Sequence, residues 1–147
     1  MQVVQATARS TAPRQVVWDV VADASGWSNW GAWKEASIER EGDPPPGGLG
    51  AIKVLVSERR PSVTSREEVT VFDPPTRFGY RLLSGLPLRD YEAGITLADA
   101  AEGGTDITWR SQFEPKIPLT GGFFRRILQT FMEETVQRLA REAERQG

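Results

Sequence analysis

The 147-residue chain contains neither cysteine nor histidine. Without cysteine there are no disulfides, thiolate nucleophiles or cysteine metal sites. Without histidine the usual proton shuttle of neutral pH and the commonest metal ligand are missing. A Ser-His-Asp triad and a histidine-bound zinc or iron are therefore excluded. Any chemistry must rest on carboxylates, Tyr, Lys, Arg or bound water, and no metal or cofactor is expected. A basic excess is lacking too. Eighteen Lys and Arg stand against 20 Asp and Glu, for a net charge of -2, which argues against a nucleic-acid partner. No apolar run approaches the ~20 residues that span a bilayer, so stable membrane insertion is not expected. The opening MQVVQATARS carries neither a charged n-region nor a long apolar h-region, and the expectation is a cytoplasmic protein. Neither glycine-rich tract is followed by the Lys-Ser/Thr of a phosphate loop.

What the chain does have is one long amphipathic helix and a series of alternating strands. From Gly121 to Gly147 apolar residues arrive in adjacent pairs four apart: Phe123/Phe124, Ile127/Leu128, Phe131/Met132, Thr135/Val136 and Leu139/Ala140, closed by Ala143. At 3.6 residues per turn they draw one broad stripe about four turns long. Ahead of it the patterning has period two. Val3–Ser10 is predicted as a strand with Val4, Ala6 and Ala8 on one face. A helix follows, with Thr11 as N-cap and Pro13 in its first turn. The Trp-rich tract DASGWSNWGAW predicts a short helix or irregular turn.

Six further strands are predicted, separated by Pro- and Gly-rich turns. Ala36–Gly42 carries Ile38 inward, and Gly50–Glu58 carries Ile52, Val54 and Val56 on one face. Thr64–Asp73 carries Val69 and Val71, and Arg77–Ser84 carries Phe78, Tyr80 and Leu82. Leu88–Asp99 alternates Tyr91, Ala93, Ile95 and Leu97 against polar residues, and Thr105–Glu114 alternates Ile107, Trp109 and Phe113. With no repeat and no second core, residues 1–147 are predicted as a single α+β domain. Its seven-stranded antiparallel sheet curls around the last helix.

Three stretches carry a family resemblance: the opening strand with its Pro13-led helix, WSNWGAW, and EEVTVFDPPTRFGYRLLSGLPLRDY. Together with the order of elements over essentially the whole chain, they resemble the START-like (SRPBCC) helix-grip superfamily, in particular its polyketide cyclase/dehydrase and lipid-transport group. The resemblance implies an apolar cavity between the sheet and the C-terminal helix, holding a lipid, a polyketide or another hydrophobic molecule. Some members are cyclases or dehydratases. The matched motifs specify the fold rather than a reaction.

Candidate cavity residues follow from the inward parities. On the last helix they are Leu128, Phe131, Met132 and Thr135, where Met adapts to irregular space and the Thr hydroxyl could serve a polar ligand group. On the strands they are Val54, Glu67, Val69, Tyr80, Leu82, Tyr91, Ile95 and Trp109. Five tryptophans in the chain is a high number; Trp27 is expected to plug one end, and Trp30 and Trp33, with Gly26 and Gly31 nearby, to line the mouth or form a lid. Amphipathic helices and aromatic clusters more often simply pack a core, and each assignment competes with that plainer role.

Glu67 shares strand parity with Val69, whereas Glu68 has the opposite parity. An inward carboxylate in apolar surroundings has a raised pKa and is the one candidate acid or base. The plainer alternative is an ion pair with Arg66 or Arg81. Arg125 and Arg126 occupy the first turns of the last helix, where the dipole disfavours cations. With Lys116 they could attract an anionic head group, although a solvated helix start is the simpler account.

The expected function is binding, with transport as a possible extension, of a hydrophobic small molecule by burial. One alternative is a cofactor-free cyclase or dehydratase using Glu67, with a Tyr stabilising an enolate. Another is a partner-binding module like the co-chaperone members of the fold.

Overall fold

The computed structural model describes all residues 1–147. Strand β1 (Gln2–Ser10) leads into α1 (Arg14–Ala22) and a 3-10 helix (Ala24–Asn29). Six strands follow: β2 (Trp33–Arg40), β3 (Ile52–Ser57), β4 (Thr64–Asp73), β5 (Arg77–Ser84), β6 (Leu88–Asp99) and β7 (Thr105–Pro115). Helix α2 (Gly121–Gln146) ends the chain. All pairings are antiparallel, in the order β1-β7-β6-β5-β4-β3-β2. Consecutive strands from β2 to β7 form a meander, and β1 closes on β7 with Ala6 opposite Trp109. This is the predicted α+β helix-grip architecture, with seven strands and the long C-terminal helix.

The opening of α1 differs from expectation. Its N-cap is Pro13, in extended conformation, and no side chain caps it. The carbonyl of Pro13 accepts from the amides of Val16 and Val17. Thr11 lies too early in the chain to cap; its own amide instead donates to Glu144 on α2, at 2.9 Å. The Ser10 hydroxyl donates to the Ala140 carbonyl at 2.9 Å. Both contacts fasten the C-terminal half of α2 to the end of β1.

Two strand registers also differ from a simple alternation. In β3 the residues facing the interior are Lys53 and Leu55, which are fully buried, not the Ile52/Val54/Val56 set. Lys53 stands directly opposite Glu67, and Val54 opposite Arg66. Since facing residues share a side of the sheet, Val54 belongs to the outer face with half-exposed Arg66. In β4 the register shifts between Val69 and Val71. This bulge leaves Val69 inward, turns Val71 outward and brings Phe72 inward, where its ring meets Trp18 at 5.1 Å.

The stripe of α2 is buried unevenly. Met132, Thr135, Val136, Leu139, Ala140 and Ala143 are buried against the sheet and α1. Phe124, Leu128 and Phe131 are half-buried, while Phe123 and Ile127 are exposed. The helix therefore runs past the edge of the core at its N-terminal end.

Candidate functional site

Five adjacent strands aim polar groups into the concave face of the sheet. Lys53 on β3, Glu67 on β4, Tyr80 on β5, Tyr91 on β6, and Trp109 and Ser111 on β7 are all buried. Antiparallel register produces the row. Lys53 pairs with Glu67, Tyr80 with Ala93, and Ala93 with Ser111, so same-face residues on neighbouring strands fall beside or two positions from one another. Above the row lies Trp27 of the 3-10 helix, fully buried, its indole N–H donating to the Val21 carbonyl at 2.9 Å. Trp30 and Trp33 pack on Trp27 with ring centroids 5.5 and 5.3 Å away. Gly31 is required between them, because a Cβ there would overlap the Trp33 ring.

Lys53 is the most demanding group in this interior. Its Nζ sits 3.5 Å from the centroid of the Trp27 ring, 4.6 Å from Tyr80 and 5.0 Å from Phe78. The aromatic faces attract the ammonium, and Glu67 Oε1 lies 3.6 Å away. That separation is beyond hydrogen-bond length. Nζ and Oε1 each lack a hydrogen-bond partner, an arrangement that costs stability unless something supplies the missing contacts.

The titration of the two groups follows from the same geometry. Burial lowers the Lys53 pKa to about 8, while the charge of Glu67 pulls it back up. Burial raises the Glu67 pKa, opposed by the charge of Lys53. Tyr80 is held well above its ordinary value by burial first, then by Tyr91 and the Glu67 charge. Tyr91 is raised by burial and by Glu67, with Ser111 and Tyr80 acting in the opposite sense. Both phenols are thus protonated donors at neutral pH. The Tyr80 oxygen accepts the Trp109 indole N–H at 3.1 Å.

Of the residues expected at a cavity, Glu67, Val69, Tyr80, Tyr91, Ile95 and Trp109 converge on this interior from the sheet. Met132 and Thr135 meet them from α2, and Trp30 and Trp33 from the chain around the 3-10 helix and β2. Leu82, Leu128 and Phe131 are half-buried at its edge, with Phe131 edge-on against Trp33 at 5.7 Å. Val54 is a correction: it lies on the outer face, and the interior position belongs to Lys53. Thr135 is buried, but its hydroxyl donates to the Phe131 carbonyl at 2.6 Å and is committed to its own helix. The expected ion pairs of Glu67 are corrected as well. Arg66 bonds Glu39 and Arg81 bonds Glu68, both on the outer face, and the buried partner of Glu67 is Lys53.

Sequence reasoning missed Lys53, Ser111 and the cage role of Trp27 and Phe78. Reading β3 from the Ile52/Val54/Val56 alternation set its inward face one residue off. The signal was the inward Glu67, which called for a cation directly across the ladder. Aromatic side chains fill much of the concave interior. Two surface hollows lie elsewhere. One is on the outer face of β4–β7, around Arg77, Glu92 and Arg110; the other lies between Trp30 and the arginines of the last turns of α2.

The profile of the polyketide cyclase / dehydrase and lipid transport family matches residues 1–144. No curated protein matches the chain by sequence. Among solved structures, a START superfamily protein from Mycobacterium smegmatis is 15% identical, with a TM-score of 0.85 over 100% of both chains. XoxI from Bacillus cereus is 13% identical, with a TM-score of 0.80 over 97% of this chain and 95% of its own. A protein from Thermus thermophilus is 22% identical, with a TM-score of 0.72 over 97% of this chain and 94% of its own. At these identities the structures establish a common fold.

Proposed function

Since the chain belongs to the polyketide cyclase / dehydrase and lipid transport family, we propose that it binds a hydrophobic small molecule between the sheet and α2. The molecule's polar end is held by Lys53 and Glu67. Family and fold support hydrophobic-ligand binding in general; the polar anchor is the specific part of the reading. The observation that carries it is the pair of unpartnered polar atoms, Lys53 Nζ and Glu67 Oε1, facing each other at 3.6 Å inside an aromatic shell.

A hydroxyl or carbonyl oxygen can accept from Nζ, and a hydroxyl can also donate to Oε1, so an oxygenated head group supplies both missing bonds. Tyr80 and Tyr91 offer further donors beside it. The apolar remainder lies toward Leu82, Leu128 and Phe131, the half-buried rim whose side chains must turn aside on uptake. Removing about 300 Å² of apolar ligand surface from water yields roughly 7 kcal/mol. Association costs about 4–15 kcal/mol. Apolar burial alone therefore gives weak binding, and the charged anchor decides the affinity.

The tryptophans around the cage make binding readable by intrinsic fluorescence. Titration with a hydroxyanthraquinone, a flat aromatic bearing phenol and carbonyl oxygens, is expected to quench Trp emission with saturation. The double variant Lys53→Met/Glu67→Gln is expected to bind about tenfold or more weakly, the scale of one charge-assisted hydrogen bond. Equal affinity in both proteins would remove the anchor from the reading.

A raised Glu67 beside protonated tyrosines is also the arrangement a cyclase or dehydratase needs, with the carboxyl moving the proton and Tyr80 or Tyr91 steadying an enolate. Glu67→Gln separates the two. Turnover lost with binding retained identifies chemistry; binding retained with no turnover in either protein identifies a carrier.

A further inference from the structure

The segment from Lys116 to Met132 has a composition unlike the rest of this acidic chain. It holds Lys116, Arg125 and Arg126 and no acidic residue. It also carries four of the nine large apolar side chains exposed in the molecule. Ile117 is 55% exposed, Leu119 102%, Phe123 63% and Ile127 37%. Large apolar groups left exposed along one short stretch mark a contact surface.

Leu119 strengthens the case. Its backbone φ is 69°, a left-handed conformation that disfavours a side chain with a Cβ, yet no packing within the domain holds the leucine there. Strained backbone of this kind clusters at functional sites. The cations frame the tip. Lys116 precedes the apolar loop, its amide bonded to the Pro87 carbonyl. Arg126 lies one turn along the helix from Phe123, and Arg125 on the opposite flank. Lys116, Arg125 and Arg126 are all exposed, and both arginines stand near the helix end whose dipole repels cations.

We propose that this tip, residues 116–127, docks reversibly on an anionic lipid bilayer. Leu119, Phe123 and Ile127 enter the interfacial region while Lys116 and Arg126 meet the lipid phosphates. Charge complementarity selects this occupant over a second copy of the chain. A two-fold contact would set Lys116 and Arg126 against their own copies, with no carboxylate among residues 116–127 to offset them. No helix is long and apolar enough to cross a membrane, in keeping with surface docking. The tip runs directly into Phe124, Leu128 and Phe131, which pack on the interior aromatic cluster. Docking there would open the rim toward the membrane. The proposal stands on the surface alone and does not require the interior ligand.

Flotation of the purified protein with phosphatidylcholine vesicles, and with vesicles that also contain phosphatidylserine, tests it. At about a fivefold gain per basic residue, two cations predict partitioning about 25-fold stronger on the anionic vesicles, weakening as salt is added. Lys116→Glu/Arg126→Glu is expected to return binding to the neutral-vesicle level. Both residues are exposed, and a glutamate suits the helix start, so the fold is retained. Phe123→Ser/Ile127→Ser is expected to lose about tenfold or more even on anionic vesicles. Equal partitioning on both vesicle types, none on either, or indifference to the charge reversal overturns the proposal. So does a concentration-dependent dimer, seen in sedimentation, that Phe123→Ser/Ile127→Ser abolishes, since the tip then serves a second copy.

Discussion

A lysine with no solvent exposure is the least expected residue of this core. Lys53 is tolerated because Trp27, Tyr80 and Phe78 present ring faces to its ammonium and Glu67 stands across the ladder. Removing one partner strands the other. Lys53→Met is expected to destabilise the protein by about 3–5 kcal/mol, through the uncompensated carboxylate it leaves. Adding Glu67→Gln is expected to recover most of that loss, and urea denaturation of the three proteins measures both steps. The pH dependence has a definite sign. The folded state depresses the Lys53 pKa from 10.5 to about 8, so between these values the unfolded chain binds the extra proton. Stability therefore rises with pH across that window. Tyr80 and Tyr91, raised above 10, begin to oppose this only at the top of the window. Glu67 is raised, so its contribution is full below 4.5 and is lost as pH climbs through its folded value. Urea midpoints are expected to increase from pH 8 to pH 10 in the wild type, and this increase should vanish in Lys53→Met.

Among the elements, strands and turns were legible wherever one face is apolar and the other wet. β5, β6 and β7 alternate cleanly, and their inward residues Tyr80, Tyr91, Ile95 and Trp109 were identified from parity alone. β3 was not legible in the same way. In Ile52-Lys53-Val54-Leu55-Val56 both faces carry apolar residues, so hydrophobicity cannot choose the register, and a one-residue slip exchanges the faces. The bulge in β4 is a backbone event with no composition signal, which is why Val71 took the wrong side. The stripe of α2 showed the helix's length and face but not where the sheet beneath it stops. Packing divides that stripe. Leu139→Ala, fully buried, is expected to cost about 2–5 kcal/mol. Phe123→Ala, on the exposed half, is expected to stay within about 0.5 kcal/mol. Thermal unfolding of the two variants locates the boundary.

For the molecule as a whole, the two ends of α2 do different work. The C-terminal half is tied to β1 and the residue after it through Ser10 and Thr11 and holds the core. The N-terminal half carries Phe124, Leu128 and Phe131 at the rim, with an apolar, cationic tip beyond them. A grip fixed at one end and looser at the other is suited to admitting a ligand without unfolding the sheet. On the proposed function, the aromatic filling of the concave face calls for uptake by side-chain displacement, with the polar end received by Lys53 and Glu67. Native mass spectrometry of the protein, mixed with a hydroxyanthraquinone and sprayed under mild conditions, tests interior binding most directly. The predicted spectrum shows a one-to-one adduct for the wild type, strongly reduced in Lys53→Met/Glu67→Gln. A spectrum with no adduct, or with equal adducts in both proteins, would contradict binding at the Lys53–Glu67 pair.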